Sequence, residues 1–383
     1  MTLKHVYIND TSVFFPNEPV ANDEMETYLG FINGTPSKSK PVVLRNNGIK
    51  RRFYALTKDG KPTHTNAQMT AEAVKLLFKD QPENIKSVDL LSCGTSSPDQ
   101  MMPSHAVMTH GWLPESNGIE VVSPSGVCCA GMHAFKYAYL AVKTGDATKA
   151  VATGSERFSA SLISDAFEDE VQKLIQLEEN PILSFEKDFL RWMLSDGASA
   201  FLMSDKKNET GLSLRVDWID GVSYANEVEP CMYMGSEKLP DGTLKGYLDF
   251  TPQEIMERSI LSIKQDVNLL SANIIRLGGI GLKATLDKHG IDSEEIDYFL
   301  PHMSSNFFRE KIFNGLIENN MNIPYEKWFV NLSQVGNVGA ASSYLMVDEL
   351  FHSGRLKAGD KLLLLVPESS RFSYMYALLT VVD

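Results

Sequence analysis

Three short stretches of this chain carry residue types that do covalent chemistry. The first is Ser125-Gly-Val-Cys128-Cys129-Ala-Gly-Met, in which small residues precede two adjacent cysteines. The apolar spacing that follows predicts a helix over Ala130–Lys143, closed by Gly145. A thiol at a helix N-terminus meets unpaired backbone N–H groups and the positive end of the helix dipole, which predicts a lowered pKa and a larger thiolate fraction. A buried, inert cysteine is the alternative. The second stretch, Leu300-Pro-His302-Met-Ser-Ser, directly follows a predicted strand, Glu295–Leu300. Ligands of open α/β sheets gather at such strand ends. The third, Gln334-Val-Gly-Asn337-Val-Gly-Ala-Ala, precedes a second predicted helix, Ala340–Phe351, as the cysteines precede the first. Alone, a histidine or an asparagine is most often a satisfied core or loop residue. Together, a thiol, an imidazole and a carboxamide make a nucleophile, a base and a polarising group.

The elements that must position these residues alternate between strand and helix, which predicts an α/β chain. Predicted strands cover Ser87–Ser92, Lys149–Gly154 and Ser199–Met203 in the first half, then Glu295–Leu300 and Lys361–Val366 in the second. The halves echo each other in letters. Val88-Asp-Leu-Leu-Ser-Cys-Gly-Thr-Ser-Ser is similar to Ile296-Asp-Tyr-Phe-Leu-Pro-His-Met-Ser-Ser, and Gly154-Ser-Glu-Arg-Phe-Ser to Glu368-Ser-Ser-Arg-Phe-Ser. Two echoes in the same order and at similar spacing predict an internal duplication. Cys129 and Asn337 would then face one crevice. The polar run Ser204–Thr210 marks a boundary, giving halves 1–207 and 208–383. Residues 157–193 form a long, partly helical excursion around Pro181. Its apolar residues at helical spacing predict one buried face.

With 383 residues, 43% hydrophobic and 22% charged, the chain has an ordinary globular composition and the length for two packed halves. A net charge of −13 excludes a non-specific nucleic-acid binder and suits a metabolite-handling protein. The longest apolar runs are too short to span a bilayer, and the N-terminus lacks a signal-peptide core. Four cysteines in so long a chain, two of them adjacent, are expected to be thiols in a reducing cytoplasm. The eight histidines show no metal-ligand spacing, so no metal is expected. Against the acidic background stands a basic cluster: Lys38, Lys40, Arg45, Lys50, Arg51 and Arg52. It is either a solvated face or a landing site for an acidic or phosphorylated partner.

These stretches resemble the ketoacyl synthase III enzymes of the thiolase superfamily. Cys129-Ala-Gly resembles that family's nucleophile motif, Leu300-Pro-His302 its Pro-His motif, and Gly336-Asn337 its Gly-Asn motif. Asn47-Gly-Ile-Lys-Arg-Arg, Ser195-Asp-Gly-Ala and Lys357-Ala-Gly-Asp resemble three further stretches in the same order. The resemblance implies a thiolase fold, with two pseudo-duplicated halves in a five-layered αβαβα sandwich, and a homodimer. It implies acyl thioesters carried on the phosphopantetheine of CoA or acyl carrier protein, with no other cofactor. Adjacent helical residues point about 100° apart, so one cysteine faces the pocket; the Ala-Gly register implies Cys129 rather than Cys128. Cys129 would take the acyl group, with the amides of Cys129 and Ser370 as oxyanion hole. His302 and Asn337 would act on the second substrate. His302 is the first candidate for a base and Glu156 the second, unless Glu156 is a structural carboxylate at a strand end.

Several departures bear on substrate. The family's Gly-Gly-Gly-Phe-Thr-Trp reads Ser369-Ser-Arg-Phe-Ser-Tyr374 here, its Gln-Ala-Asn reads Met303-Ser304-Ser305, and Met102 replaces an aromatic before Pro103. Together with the excursion, expected to wall the acyl pocket, these resemble the ketosynthase/cyclase branch that makes dialkylresorcinol precursors. That branch joins two medium or long acyl units, including a β-ketoacyl thioester, and closes a cyclohexanedione ring. Met102, Glu156, Ser305 and Phe372 are the expected pocket residues. Lys50, Arg51 and Arg52 are the expected contacts of the carrier protein. The alternatives are an initiating synthase using a short acyl-CoA and malonyl carrier protein, and a non-catalytic partner subunit.

Overall fold

The structure, a computed structural model, describes residues 3–164 and 190–383. Most of the excursion, residues 165–189, lies outside the described residues.

Among the described residues, nine strands form one large sheet. They are β1 (Tyr7–Phe14), β2 (Leu90–Gly94), β3 (Glu120–Val122), β4 (Lys149–Glu156), β5 (Gly197–Ser204), β6 (Ser213–Ser223), β7 (Tyr298–Pro301), β8 (Lys361–Glu368) and β9 (Ser373–Val382). Their order is β7-β8-β9-β6-β1-β5-β4-β2-β3. The same pairing pattern occurs twice. In the first set β2 lies parallel to β3 and β4, β4 antiparallel to β5, and β5 antiparallel to β1. In the second, β7 lies parallel to β8, β8 antiparallel to β9, and β9 antiparallel to β6. A parallel bridge from Phe299 to Trp328 stands where β3 stands in the first set. The two sets join through only two residue pairs of β1 and β6, Tyr7 with Arg215 and Ile8 with Leu214. The strand after the polar run 204–210 thus belongs to the second set.

Five helices matter for the site: α1 (Lys40–Asn47), α2 (Cys129–Thr144), α3 (Val267–His289), α4 (Arg309–Glu318) and α5 (Ser342–Phe351). Helix α2 ends where its sequence predicts, at Gly145 with φ of 83°, a left-handed conformation that glycine adopts without a Cβ clash. Two strands begin later than their apolar runs suggest. Pro82–Ser87 and Ser293–Glu295 are 3₁₀ turns, the second held by a reciprocal cap between Asp292 and Glu295. Proline at the first position and side-chain capping outweigh strand propensity there.

The two central helices meet near their N-termini. Tyr344 of α5 donates its hydroxyl proton to the Gly131 carbonyl at 2.8 Å. A Cβ at Gly131 would lie 2.1 Å from the carbonyl oxygen of Ala340, so only glycine permits this approach. Phe201 of β5 stacks on Tyr344 at 4.1 Å between centroids and meets Phe135 of α2 edge-on at 5.4 Å, locking both helices to the sheet. The segments preceding α2 and α5 therefore come together over the C-terminal ends of β4 and β8. No helix among the described residues is long and apolar enough to cross a membrane.

Candidate active site

A cavity of about 760 Å³ opens beside the junction of the two central helices. Its floor includes Cys128, His302 and Asn337, the three residue types expected to converge. His302 follows β7, and its N–H donates to the Leu365 carbonyl of β8 at 2.8 Å, which extends the parallel pairing by one residue. The ring is buried, and burial pulls its pKa down to about 4, so the imidazole is neutral at physiological pH. Asn337 is held at both ends of its backbone. Its N–H donates to Met193 O and its carbonyl accepts from Ser195 N–H, each at 2.9 Å. Its Oδ1 accepts from Gly339 N–H at 3.0 Å, so the side chain offers a ligand its NH₂ donors.

The two cysteines are placed opposite to expectation. Cys128, the residue capping α2, is half-buried and lines the cavity. Cys129 begins the helix, is 1% exposed, and its Sγ donates to the Val366 carbonyl of β8 at 3.3 Å. Neither thiol has the lowered pKa expected of a helix N-terminus. Burial pushes both well up, and a carboxylate beside them, Glu368, is the next cause. Loss of water outweighs the helix dipole here.

That carboxylate was not among the candidates read from the sequence. Glu368 ends β8. Its Oε2 accepts from the amides of Val127 at 2.8 Å and Cys129 at 3.0 Å, and its Oε1 from the Ser370 hydroxyl at 2.7 Å. The amide of Cys129, expected in the oxyanion hole, is therefore occupied. Glu156 ends β4 and occupies the corresponding place in the other half. It accepts from Ala340 N–H at 3.1 Å ahead of α5, and also from Ser96 N–H and the hydroxyls of Thr95, Ser96 and Ser97. Full burial raises its pKa to about 7 despite those bonds. Each half thus sends the terminal glutamate of one strand to the start of the other half's central helix. The echo of Gly154-Ser-Glu with Glu368-Ser-Ser hinted at matching strand ends, but shifted the two glutamates out of register.

Of the other expected pocket residues, none is on the cavity wall. Glu156 is sealed beneath Ser96, Ser97 and Gly339, which are. Met102 is 84% exposed, and its neighbour Met101 lines the cavity. Ser305 is buried, where its hydroxyl accepts from Phe307 N–H and caps a short turn; Met303 and Ser304 line the cavity in its place. Phe372 is fully buried at φ of 57°, before β9 begins, so the strand's two-residue alternation does not reach it; Tyr374 takes the wall position. Ser370 offers its hydroxyl to Glu368, and its carbonyl accepts from the amides of Cys231 and Met232.

The rest of the wall is largely apolar, with Asp99, Gln100, Arg157 and Gln265 among its polar members. It comes from α3 (Ile274, Ile275, Leu282) and from α4 and the turn before it (Phe308, Ile312, Leu316). Gly278, Gly279 and Gly315 line it as well. Both described ends of the excursion contribute, with Arg157 and Phe158 at its start and Met193 at its end, followed by Leu194. The glycines in α3 were the one visible signal of this wall, since glycine inside a long helix usually has a packing or functional reason.

The basic cluster does not form one surface. Lys38, Arg45, Lys50 and Arg51 are exposed, and Lys40 pairs with Glu26. Arg52 is fully buried, donating to Asn22 Oδ1 at 2.6 Å and Trp192 O at 3.3 Å. A buried guanidinium committed to internal acceptors is not available to a partner, so Arg52 leaves the expected carrier contacts. Among the described residues no group of three His, Cys, Asp or Glu is placed to hold a metal ion.

The chain is similar to known condensing enzymes. Residues 286–366 match the family described as 3-oxoacyl-[acyl-carrier-protein] synthase III C terminal. β-Ketoacyl-[acyl-carrier-protein] synthase III 1 of Deinococcus radiodurans is 23% identical over 367 residues, covering 95% of this chain and 90% of that one. Among solved structures, the tetronic acid condensing enzyme AbyA1 superposes with a TM-score of 0.74 at 18% identity, covering 98% and 99% of the two chains. OleA of Xanthomonas campestris, solved with lauric acid and lauroyl-CoA, superposes with a TM-score of 0.73 at 18% identity over 99% of both. The fold is the thiolase fold. The chain is an acyltransferase-type condensing enzyme, and the enzymes it is similar to are ketoacyl synthases III.

Proposed function

We propose that this enzyme joins two medium or long acyl units, one of them a β-ketoacyl thioester, and closes the product to a cyclohexanedione. The observation that carries the reading is a largely apolar cavity of about 760 Å³ with Cys128, His302 and Asn337 on its floor and Cys129 buried next to Cys128. That volume lies in the upper part of the usual range of about 300–1,000 Å³ for small-molecule sites. In this reading the thiol of Cys129 attacks the first acyl thioester and releases CoA or carrier thiol. The second thioester then enters, with its carbonyl on the Asn337 NH₂ and the neutral His302 ring. Its α-carbon loses CO₂ or gives a proton to His302, and the resulting enolate attacks the acyl-enzyme carbonyl, forming the C–C bond as the C–S bond to the enzyme breaks and the Cys129 thiolate leaves. Cys129 takes this role because it holds the Ala-Gly register at the first position of α2. A second reading, in which Cys128 is the nucleophile, is favoured by its place on the cavity wall.

The apolar wall of α3 and α4 supports long acyl chains, as does the lauroyl-CoA held by OleA. Four further buried methylenes contribute about 3 kcal/mol, or roughly two orders of magnitude. Steady-state assays across chain lengths, with products identified by mass spectrometry, are therefore expected to show kcat/KM for C10–C14 β-ketoacyl thioesters at least ~100-fold above acetyl-CoA. The names of the curated relatives favour an initiating synthase instead. Preference for acetyl-CoA with malonyl carrier protein would establish that reading and end this one.

We further assign the enzyme to the cytoplasm as a homodimer. Met102, exposed beside cavity-lining Met101, would reach a pocket only in the second copy. The carrier protein docks on Lys50 and Arg51. Reversing both charges should raise KM for a carrier-linked acyl donor about tenfold at low salt, leave KM for the CoA ester unchanged, and flatten the salt dependence. Equal effects on both donors would return these residues to an ordinary solvated face.

A further inference from the structure

The pseudo-symmetry of the two halves separates two carboxylates that the local sequence does not distinguish. Glu156 receives five different donors, lies beneath the cavity wall and caps the start of α5, a helix that carries no thiol. Glu368 receives three, is 8% exposed, and sits between Pro367 and Ser369, both of which line the cavity. Its Oε2 is bound by the amide of Cys129 itself. No lysine or arginine among the described residues pairs with Glu368; the charged or titratable groups that feel it are Cys128, Cys129 and His133, all at the start of α2.

We propose that Glu368 is the proton acceptor for the nucleophilic thiol and, in the same motion, the group that vacates its oxyanion site. The inference rests on the reading of Cys129 as acyl acceptor. In the resting enzyme the thiol is neutral, and the carboxylate charge bound to the Cys129 amide is that of Glu368. Transfer of the S–H proton to the carboxylate moves that charge to sulfur without adding a second charge to a buried site. The protonated carboxyl is a weaker acceptor, so it releases the amides of Val127 and Cys129. The thiolate then forms an S–C bond to the thioester carbonyl, whose oxygen takes the negative charge and the freed amides. Collapse breaks the original C–S bond, and the departing CoA or carrier thiolate takes the proton from Glu368. Atoms and charge balance, and the carboxylate is restored.

Glu368→Gln tests this, because a carboxamide oxygen can still accept from both amides but cannot take the proton. Two rates are measured at one pH near neutrality. One is single-turnover acylation by an acyl-CoA, read by intact-protein mass. The other is alkylation of the same thiols by iodoacetamide, with each site read by peptide mass. Acylation should fall about 10²–10⁴-fold, the usual worth of a positioned base. Alkylation of Cys129 should rise about threefold or more, because a neighbouring anion no longer opposes the thiolate. A structural role would move both rates the same way. If the glutamine variant does not fold, Glu368→Asp keeps the base but withdraws it, and should slow acylation about tenfold with alkylation unchanged. Acylation within threefold of wild type in the folded variant overturns the inference. A wild-type enzyme that takes no acyl group at all would instead overturn the proposed function.

Discussion

Incubating the Cys129→Ala enzyme with a long-chain acyl-CoA is expected to yield no acyl adduct in the intact mass spectrum. Acylation should fall by about 10⁴-fold or more, the scale on which covalent enzymes lose activity with their nucleophile. Cys128→Ala should keep acylation within about tenfold. The contrast is informative because register and exposure point to different sulfurs. Cys129 is the residue in register with Ala-Gly and has its amide on Glu368, yet its Sγ is turned onto Val366 O. Cys128 forms the visible wall. For Cys129 to react, its sulfur must leave that carbonyl and the segment 125–128 must give way on the cavity side. Release of the two amides by Glu368 is a local change of that kind. An adduct that survives in Cys129→Ala and disappears in Cys128→Ala would transfer the role to Cys128.

Removing either group on the second substrate should divide the reaction differently. His302→Ala and Asn337→Ala are expected to form the acyl-enzyme at near wild-type rates and to lose condensation by about 10²–10⁴-fold. Both side chains are buried on the cavity floor, on backbone pinned to β8 for His302 and to Met193 and Ser195 for Asn337. That rigidity is what an enolate-stabilising pair requires, since a donor mobile by an ångström forfeits much of its worth. With its pKa near 4, His302 is neutral throughout the working range, so its contribution to condensation should not titrate between pH 6 and 9. Rapid-quench measurement of acylation and condensation in separate steps checks the division. A variant that fails mainly at acylation would place that residue on the first substrate.

The candidate residues were legible because each is tied to a local signal. A thiol before an amphipathic helix, a histidine after an apolar run and an asparagine before a second helix are set within about ten residues of chain. Helix α2 ends at Gly145 as read, because a left-handed cap is itself local. Even the twofold repeat of strand pairing was foreshadowed by short echoes in the letters. What decided the state of the site came from groups far apart in sequence. The opposite facing of Cys128 and Cys129 depends on Val366, 237 positions away. The thiol pKa values are set by burial and by Glu368, not by the helix to which the cysteines belong. Arg52 reads as one more charge in a basic run until Asn22 and Trp192 close over it. The sequence alone determined which residue types are available and the elements that carry them, since propensity and capping act within a few turns of chain. Only the tertiary structure decided which atom faces the cavity, which carboxylate reaches the Cys129 amide and which charge is lost from water, because desolvation and hydrogen-bond partners are properties of packing between distant segments.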